Sequence, residues 1–354
     1  MMFRPEAVSS ITDFRQRVRS CLANERASDR PRPIVILAID GVPWNLARRY
    51  WRHAEMEPMR SVFPTTSSAA WLSSLTGCSV DEHGIPGVVF MDDDAKLINV
   101  YQFHGAMRGP DCGNIFSDAR TFGFHPVAVL GDWVDVPCSW RDTLVRGAHT
   151  LGNQRFYSAS PMENVDGILR AALEAIDQAV SMIANVPSLV WCFLELDRHV
   201  HAHGYNDEAL EFLGRTDELA ASLMKRHNCL VLAHSDHGLV PTSTSPLVAS
   251  TVEDFQQRHG CELGGAGRAR WIYASKERTP MLIAELRTAL AGTVDVVGAD
   301  QIFAAGSLAR QRVGSIVLIA REHEFLSFSG LQYDHGSLTT EELFVPFARW
   351  GMTT

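Results

Sequence analysis

Several short apolar runs end in acidic residues, and this pattern constrains the fold more than any other feature of the chain. The first run, "PIVILAID", ends at Asp40, and a later one, "SLVWCFLELD", ends at Asp197. A third, "CLVLAHSDHG", closes with Asp236 and His237. Continuously apolar runs are typical of strands that are buried on both faces of a parallel sheet. "HPVAVLGDW" and "SIVLIARE" have the same character.

Helical patterns lie between these runs. The clearest has one apolar face, formed by Leu169, Leu173, Ile176, Val180 and Ile183. Another pattern begins near Asn206, and a third spans residues 281–290. Strands that alternate with helices predict an α/β sheet with helices on both faces.

The chain divides into four parts by pattern. Residues 1–32 predict an amphipathic N-terminal helix and a polar linker, and residues 33–244 predict the α/β core. Residues 245–330 are less regular, begin with the Gly-rich "GCELGGAGRAR", and predict a smaller cap or subdomain. Residues 331–354 are expected to return to the core and to carry His335.

Charge and composition restrict the partners and the compartment. The net charge of −9 argues against binding a nucleic-acid polymer, which needs clustered cations, but allows a small phosphorylated substrate where a metal supplies positive charge. The seven cysteines are scattered, which favours a reducing compartment over a disulfide framework. No apolar run resembles a signal peptide or a membrane span, so we expect a cytoplasmic protein without membrane attachment.

The polar residues that follow the strands predict a metal centre. Ligands in open α/β sheets gather at the carboxyl ends of the strands, so these acidic residues should converge although they lie far apart in sequence. The set contains carboxylates and imidazoles but no patterned thiolate, which suits Zn²⁺, Mn²⁺ or Fe²⁺. Its members are Asp40, Asp197, His201, Asp236, His237 and His335.

A run of hydroxyl residues, "FPTTSSAAWLSSLTG" at positions 63–77, precedes a short apolar helix. Such residues favour helix N-termini because they cap free backbone N–H groups. The same position suits a nucleophile, since a helix N-terminus stabilises negative charge. The local sequence leaves both interpretations open.

Taken together, five motifs resemble those of the alkaline phosphatase superfamily, and within it the type I phosphodiesterase/nucleotide pyrophosphatase branch. In chain order they are "AIDG", "FPTTS…LTG…HGI", "D-x-x-x-H-x-x-G", "SDHG" and "DHG…E…VP", spread over residues 34–346. The resemblance implies a three-layer α/β sandwich, with a central, mainly parallel sheet between helices and a small cap. It also implies two divalent ions at the strand ends, with Zn²⁺ expected and Mn²⁺ or Fe²⁺ as alternatives.

The same resemblance assigns roles to individual residues. Ser67 would be the nucleophile and would also contact one ion, with Thr66 as the fallback one position away. His83 and Gly84 match a loop motif with a structural role. The ligands of the first ion would be Asp197, His201 and His335. Those of the second would be Asp40, Asp236 and His237. The implied reaction is two-step phosphoryl or nucleotidyl transfer through a covalent phosphoserine.

Substrate recognition is where the chain departs from the nucleotide pyrophosphatases. After the nucleophile they have an aromatic residue, Pro and Asn, whereas this chain has Ser68, Ala69 and Ala70. They also place an amide donor where Val88 stands here. Three more histidines near the motifs, His199, His203 and His234, could support the metal ligands, face the substrate or lie in solvated loops. Candidates to replace the missing donor are Arg198, His199, His203, Arg268 and Arg270.

Three functions are compatible with this pattern. The favoured one is hydrolysis of a phosphodiester or pyrophosphate bond in a small metabolite or nucleotide. An alternative is a phosphomonoesterase or phosphonate (C–P) hydrolase of the same superfamily. A non-catalytic binding protein is the third, and the complete ligand set argues against it. The residues Glu341 and Glu342 are expected to open a final helix.

Overall fold

The computed structural model describes residues 8–109, 112–131, 137–152, 165–328 and 330–351. Within these ranges the strands are β1 (Ser9–Ser10), β2 (Ile34–Asp40), β3 (Glu55–Arg60), β4 (Val89–Met91), β5 (Leu97–Asn99), β6 (His125–Val129), β7 (His149–Leu151), β8 (Ser188–Glu195), β9 (Leu230–His234), β10 (Val240–Pro241), β11 (Ser243–Thr244), β12 (Glu262–Ala266), β13 (Ala269–Tyr273), β14 (Val294–Gly298), β15 (Ile316–Ala320), β16 (Glu324–Phe325), β17 (Tyr333–Asp334) and β18 (Phe344–Trp350).

The α-helices in the same ranges are α1 (Phe14–Arg26), α2 (Trp44–Tyr50), α3 (Ser67–Thr76), α4 (Val80–His83), α5 (Ile115–Thr121), α6 (Ser139–Leu144), α7 (Val165–Ser181), α8 (Asp197–His203), α9 (Asp207–His227), α10 (Pro246–His259), α11 (Thr279–Ala289), α12 (Leu308–Arg312) and α13 (Thr340–Leu343). The three helical patterns in the sequence correspond to α7, α9 and α11, but Ile183 lies beyond the end of α7 and is 41% exposed, so its place on the apolar face was wrong. None of these helices is long and apolar enough to cross a lipid bilayer.

A mainly parallel sheet forms the centre of the protein. Its strand order is β1-β3-β18-β9-β2-β8-β6-β7. Every neighbouring pair is parallel except the two that involve β18, which runs antiparallel to β3 and β9. The predicted central, mainly parallel sheet is therefore confirmed.

The packing on both faces of strand β2 explains why its sequence is apolar throughout. Ile34, Ile36 and Ala38 point to the face covered by α1, α3 and α5. The residues between them, such as Val35 and Leu37, point to the opposite face, covered by α2, α7 and α9. Both faces are fully buried, so alternation of side chains cannot produce alternation of polarity.

The N-terminal helix is part of the main core. Phe14, Val18 and Leu22 of α1 are fully buried. The Phe14 ring stacks on His234 of β9 with centroids 3.6 Å apart. The predicted helix is present, and its apolar side covers one face of the central sheet.

A second sheet lies within residues 245–330. Its antiparallel order is β12-β13-β15-β14, and α10 and α11 pack on one face. The apolar run "SIVLIARE" forms β15 here, between β13 and β14, and does not join the parallel sheet. On the other face of this antiparallel sheet, Trp271 and Val317 pack into the main core. Strand β15 is therefore buried on both faces, like a strand of the parallel sheet. This burial on both faces explains why the sequence of β15 resembles that of a parallel strand.

The C-terminal segment ends in a strand. The predicted final helix is the single turn α13, in which Glu342 is fully buried and accepts hydrogen bonds from Arg268 and the Ser337 backbone. Strand β18 follows and inserts between β3 and β9. This insertion brings the loop that carries His335 to the carboxyl end of the sheet.

The structure pairs Cys78, just after α3, with Cys112 as a disulfide. The scattered cysteine pattern did not predict this bond. The remaining cysteines are buried and free: Cys21, Cys138, Cys192, Cys229 and Cys261.

The packing of α1 yields a stability prediction. Phe14→Ala should lower the free energy of unfolding by about 3–5 kcal/mol, because it empties a fully buried site against His234. Urea denaturation followed by circular dichroism measures this change. Phe328→Ala is the matched control, since that ring is 64% exposed and its loss should cost less than about 1 kcal/mol. Equal effects of the two substitutions would show that α1 is peripheral.

Candidate metal centre

The acidic residues predicted at the strand ends lie together. Asp40 is the last residue of β2, and Asp236 and His237 lie two and three positions after the end of β9. Asp197 follows β8 and begins α8. Strands β8, β2 and β9 are adjacent and parallel, so their carboxyl ends meet at one edge of the sheet.

Gly41 allows the strand ends to approach. Its φ is +79°, a left-handed conformation that glycine adopts without strain. A Cβ here would lie 2.8 Å from Leu239 Cδ1 and 3.0 Å from the Cα of Asp197. The glycine of "AIDG" is therefore required by the close approach of the chain around Asp197.

One half of the centre surrounds Ser67. Ligand atoms of Asp40, Asp236 and His237 lie within 4.8 Å of one another. The Ser67 hydroxyl lies 3.0 Å from His237 Nε2 and 3.4 Å from Asp40 Oδ1. Ser67 is the first residue of α3, and the side chain of the N-cap residue Thr66 makes no capping hydrogen bond. The hydroxyl run therefore places Ser67 in the cluster and does more than cap a helix.

The other half contains Asp197, His201 and His335. His201 Nε2 lies 3.2 Å from Asp197 Oδ2, and His335 Nε2 lies 3.7 Å from Asp197 Oδ1. The ring of His335 also stacks on His237, with centroids 3.7 Å apart. This stack joins the two halves into one centre.

Backbone carbonyls fix the orientation of two imidazoles. His201 Nδ1 donates to the Tyr333 carbonyl and His335 Nδ1 donates to the Thr65 carbonyl, each at 2.7 Å. With Nδ1 engaged by a carbonyl, Nε2 is the ring atom of each histidine that faces Asp197 and is placed to coordinate a cation there. This is the arrangement by which proteins orient histidine ligands of metals.

Burial places like charges together in this centre. Burial first, and then repulsion from Asp236 and Asp197, raise the pKa of Asp40 well above its usual value. Burial and Asp197 raise the pKa of Asp236 to about 8. Without a compensating cation, the folded protein therefore favours the protonated forms of Asp40 and Asp236.

The pKa values of Asp197, His201 and His237 are shifted as well. Burial opposes the charge of Asp197, but His201 and the neighbouring imidazoles lower its pKa overall. Burial likewise opposes the charge of His201, while Asp197 raises its pKa to about 10. Burial and the neighbouring His335 lower the pKa of His237, which favours a neutral imidazole able to coordinate a metal.

Unpaired polar atoms test whether a divalent cation fits. Asp236 Oδ2, His237 Nδ1 and Asp197 Oδ1 are buried and have no hydrogen-bond partner. Unpaired buried carboxylate oxygens are costly unless a cation or donor compensates them. Carboxylate and imidazole ligands of this kind suit Zn²⁺, Mn²⁺ or Fe²⁺, so the residues present fit such an ion.

The remaining histidine candidates lie in different environments. His199 is buried and its Nε2 contacts Asn206 Oδ1 at 2.9 Å, whereas His203 is exposed. His234 is fully buried between Phe14 and Trp71, and burial lowers its pKa to about 3. His234 is therefore a neutral aromatic core residue, and its assignment to a solvated loop or a substrate-facing position was wrong.

The loop motif beside α3 has a structural arrangement. His83 is buried, its Nε2 lies 2.9 Å from Ser73 Oγ, and its Nδ1 accepts from the Ile85 backbone. Burial lowers the pKa of His83 to about 3, so it acts as a neutral link between α3 and the loop. Val88 follows in this loop, is half-buried, and accepts a backbone hydrogen bond from Val100.

Sequence reasoning missed three side chains at the centre. Asp334 has a ligand atom within 4.8 Å of those of His201 and His335, and only its place beside His335 could have indicated it. Trp71 Nε1 donates to Asp40 Oδ2 at 3.3 Å. Burial and Asp197 raise the pKa of Glu195, at the end of β8, to about 7. A core tryptophan and a strand-end glutamate carry no distinctive local signal.

Comparison with known proteins gives a consistent picture. The family model described as type I phosphodiesterase / nucleotide pyrophosphatase matches residues 34–329. Murine ectonucleotide pyrophosphatase/phosphodiesterase 5 is similar in structure, with a TM-score of 0.64 and 16% identity over 90% of this chain and 88% of that one. Phosphonoacetate hydrolase from Sinorhizobium meliloti 1021, in complex with phosphonoformate, has a TM-score of 0.66 and 16% identity over 90% and 89%. No curated protein sequence matches the chain.

The crowded carboxyls predict a pH dependence of the metal-free protein. A carboxyl whose pKa is raised by folding contributes stability at low pH, and this contribution is lost as the pH rises through the folded value. Because the pKa of Asp236 is raised to about 8, metal-free protein should unfold more easily at about pH 8 than at about pH 5. Asp236→Asn should reduce this loss, as measured by urea unfolding at each pH.

Excess Zn²⁺ provides the control for this experiment. A bound cation favours the ionised carboxylates, so it should remove the loss of stability at the higher pH in the unsubstituted protein. An identical pH dependence in metal-free Asp236→Asn protein would contradict the electrostatic interpretation.

Proposed function

The chain belongs to the type I phosphodiesterase/nucleotide pyrophosphatase family, and we propose that it is a two-metal-dependent hydrolase of phosphodiester or pyrophosphate bonds in a small phosphorylated metabolite or nucleotide. One observation carries the proposal. The Ser67 hydroxyl stands at the N-terminus of α3, within 3.4 Å of both His237 and Asp40, in a cluster whose unpaired atoms fit divalent cations.

We assign two divalent ions to the centre, with Zn²⁺ expected and Mn²⁺ or Fe²⁺ as alternatives. Asp197, His201 and His335 would hold one. The other would be held by the cluster beside α3, namely Asp40, Asp236 and His237 with the Ser67 oxygen. When bound, such ions supply positive charge that lowers the pKa of the nucleophile and stabilises the attacking and leaving oxygens.

The chain itself supplies the nucleophile and its orientation. Ser67 Oγ would form a bond to phosphorus while the bond from phosphorus to the leaving oxygen breaks, giving a phosphoserine. Water would then break the Oγ–P bond and restore the hydroxyl. The free N–H groups of the first turn of α3 favour negative charge at this position. Trp71 holds Asp40 beside the hydroxyl through its indole N–H.

A second candidate is hydrolysis of a phosphomonoester or of a carbon–phosphorus bond. Two departures from the nucleotide pyrophosphatases favour it: small residues at Ser68, Ala69 and Ala70, and Val88 in place of an amide. Without an aromatic residue after the nucleophile, that position has no ring on which a nucleobase could stack. The complete set of metal ligands argues against a non-catalytic binding protein, which would give no turnover on any ester.

A substrate panel tests the proposal directly. Para-nitrophenyl phosphate, bis-para-nitrophenyl phosphate and para-nitrophenyl phenylphosphonate should be assayed with metal-stripped protein and after addition of Zn²⁺, Mn²⁺ or Mg²⁺. We expect hydrolysis of a diester or phosphonate that chelation abolishes and Zn²⁺ or Mn²⁺ restores, because six ligands of the centre are carboxylates and imidazoles.

Metal content by elemental analysis is the control for this panel. Full activity in protein shown to be metal-free would overturn the metal dependence. A preference for the monoester in the metal-loaded protein would select the second candidate, and absence of turnover on every ester would select a binding protein.

The nucleophile is tested by a pair of neighbouring substitutions. Ser67→Ala should lower kcat by about 10³-fold or more, because it removes the covalent step. Thr66→Ala is the matched control, since Thr66 is also buried but its hydroxyl contacts Ser68. If Thr66→Ala were inactive and Ser67→Ala active, the assignment would be wrong by one position. Circular dichroism and metal content of both variants verify that each is folded and loaded.

A further inference from the structure

Asp334 brings a further carboxylate to the metal centre. It lies in β17 and directly precedes His335. One of its carboxylate oxygens lies within 4.8 Å of a ring nitrogen of His201 and of a ring nitrogen of His335. The motif resemblance assigns both histidines to an ion whose only carboxylate ligand is Asp197. Asp334 has no part in that assignment.

The carboxylate of Asp334 is buried, and only one of its oxygens has a partner. The residue is 3% exposed. Its Oδ1 accepts from the His335 backbone N–H at 2.8 Å, which holds the carboxylate close to that residue. Its Oδ2 is buried and has no hydrogen-bond partner in the described parts of the chain. A buried carboxylate oxygen in this state is costly unless a cation or a donor compensates it.

The turn between β12 and β13 fixes Asp334 and His335 relative to each other. The backbone N–H of Arg268 in this turn donates to the His335 carbonyl at 2.8 Å. A Cβ on the neighbouring Gly267 would lie 2.8 Å from Asp334 Oδ1 and would collide with the same carbonyl. The turn therefore packs against both residues and limits the movement of the carboxylate.

The buried arginines of this hairpin have other partners. Arg268 pairs with the fully buried Glu342. Arg270 donates to two backbone carbonyls. These contacts engage neither oxygen of Asp334, so Oδ2 is left to a bound cation.

The spacing of the three side chains fits a shared ion. Bonds from Zn²⁺ to nitrogen and oxygen ligands are about 2.0–2.2 Å long, so two ligand atoms of one ion lie at most about 4.4 Å apart. A separation within 4.8 Å therefore needs only a small side-chain movement. The Nδ1 atoms of His201 and His335 are engaged by carbonyls, which leaves Nε2 of each ring for the ion.

We infer that Asp334 is a fourth protein ligand of the ion that Asp197, His201 and His335 would hold. This inference rests on the metal centre of the proposed function and deepens it. Two carboxylates balance the double positive charge of such an ion, whereas Asp197 alone balances half of it. Carboxylate oxygens suit Mn²⁺ better than they suit softer ions, so the additional ligand shifts the preference of this position from Zn²⁺ towards Mn²⁺.

Asp334→Asn tests the inference, because it removes the charge and keeps the size of the side chain and an oxygen for the His335 N–H. Calorimetric titration of metal-stripped protein should show two sites. At one of them the affinity for Mn²⁺ should fall by about 10²-fold and the affinity for Zn²⁺ by about tenfold. The melting temperature of the metal-free protein should stay the same or rise, because an uncompensated buried charge is removed.

Two controls accompany this titration. The other site, formed by Asp40, Asp236 and His237, is an internal control, since Asp334 is not grouped with those residues. Asp217→Asn is the matched variant. Asp217 is 4% exposed, but its carboxylate accepts from the indole of Trp350, away from the centre. Its substitution should leave the affinities for both ions unchanged.

Each outcome decides the inference. A loss at one site that is larger for Mn²⁺ than for Zn²⁺, with the metal-free melting temperature retained, supports it. Unchanged affinities or an equal loss for the two ions overturn it. A lower melting temperature of the metal-free variant also overturns it, because Asp334 would then balance a buried charge such as that of Arg270. If the unsubstituted protein binds both ions but hydrolyses no ester, the proposed function fails, while the titration still decides the role of Asp334.

Discussion

Three carboxylates, the buried Asp40 and Asp236 and the partly buried Asp197, meet at one edge of a sheet, and the rest of the structure depends on accommodating them. Each lies at or just after the carboxyl end of β8, β2 or β9. Because these strands are adjacent and parallel, the three side chains approach one another. Burial first, and then repulsion from the neighbouring carboxylates, raise the pKa of Asp40 and Asp236. Imidazoles on the same edge and unpaired ligand atoms fit divalent cations that would neutralise this charge.

Helix α3 carries the proposed nucleophile and also orients one of these carboxylates. Its first residue is Ser67, and one turn later Trp71 donates to Asp40. The helix is buried along its whole length and is held by Trp140 through the Ser68 carbonyl. Because one rigid element carries the hydroxyl and orients a carboxylate, the position of Ser67 relative to the cluster is determined by packing. A displacement of α3 would change both contacts together.

Segments from the first and the last parts of the sequence both support the centre. Strand β18 enters the sheet between β3 and β9, and the loop before it presents His335 to Asp197 and to His237. Helix α1 covers the face behind β9, where Phe14 stacks on His234. The centre therefore requires contacts between residues separated by most of the chain, which is consistent with a single cooperative core around the central sheet.

The sequence by itself determined the element types, the mainly parallel sheet and the residues that would gather at its carboxyl edge. Burial on both faces produces continuously apolar strands, and the strand-end rule then places Asp40, Asp197, Asp236 and His237 together. The residue pattern also indicated His201 and His335, and the motif resemblance added Ser67; the structure brings all three into the cluster.

Only the tertiary structure decided which strand pairs with which and what surrounds each side chain. "SIVLIARE" belongs to the antiparallel sheet, because an apolar run records burial but not its neighbours. His234 lies in the core and not at the centre, although it stands two residues from Asp236. Asp334 gained its place beside His201 from contacts across a long stretch of chain. Local sequence encodes periodicity and polarity, whereas proximity at this centre arises from packing between distant segments.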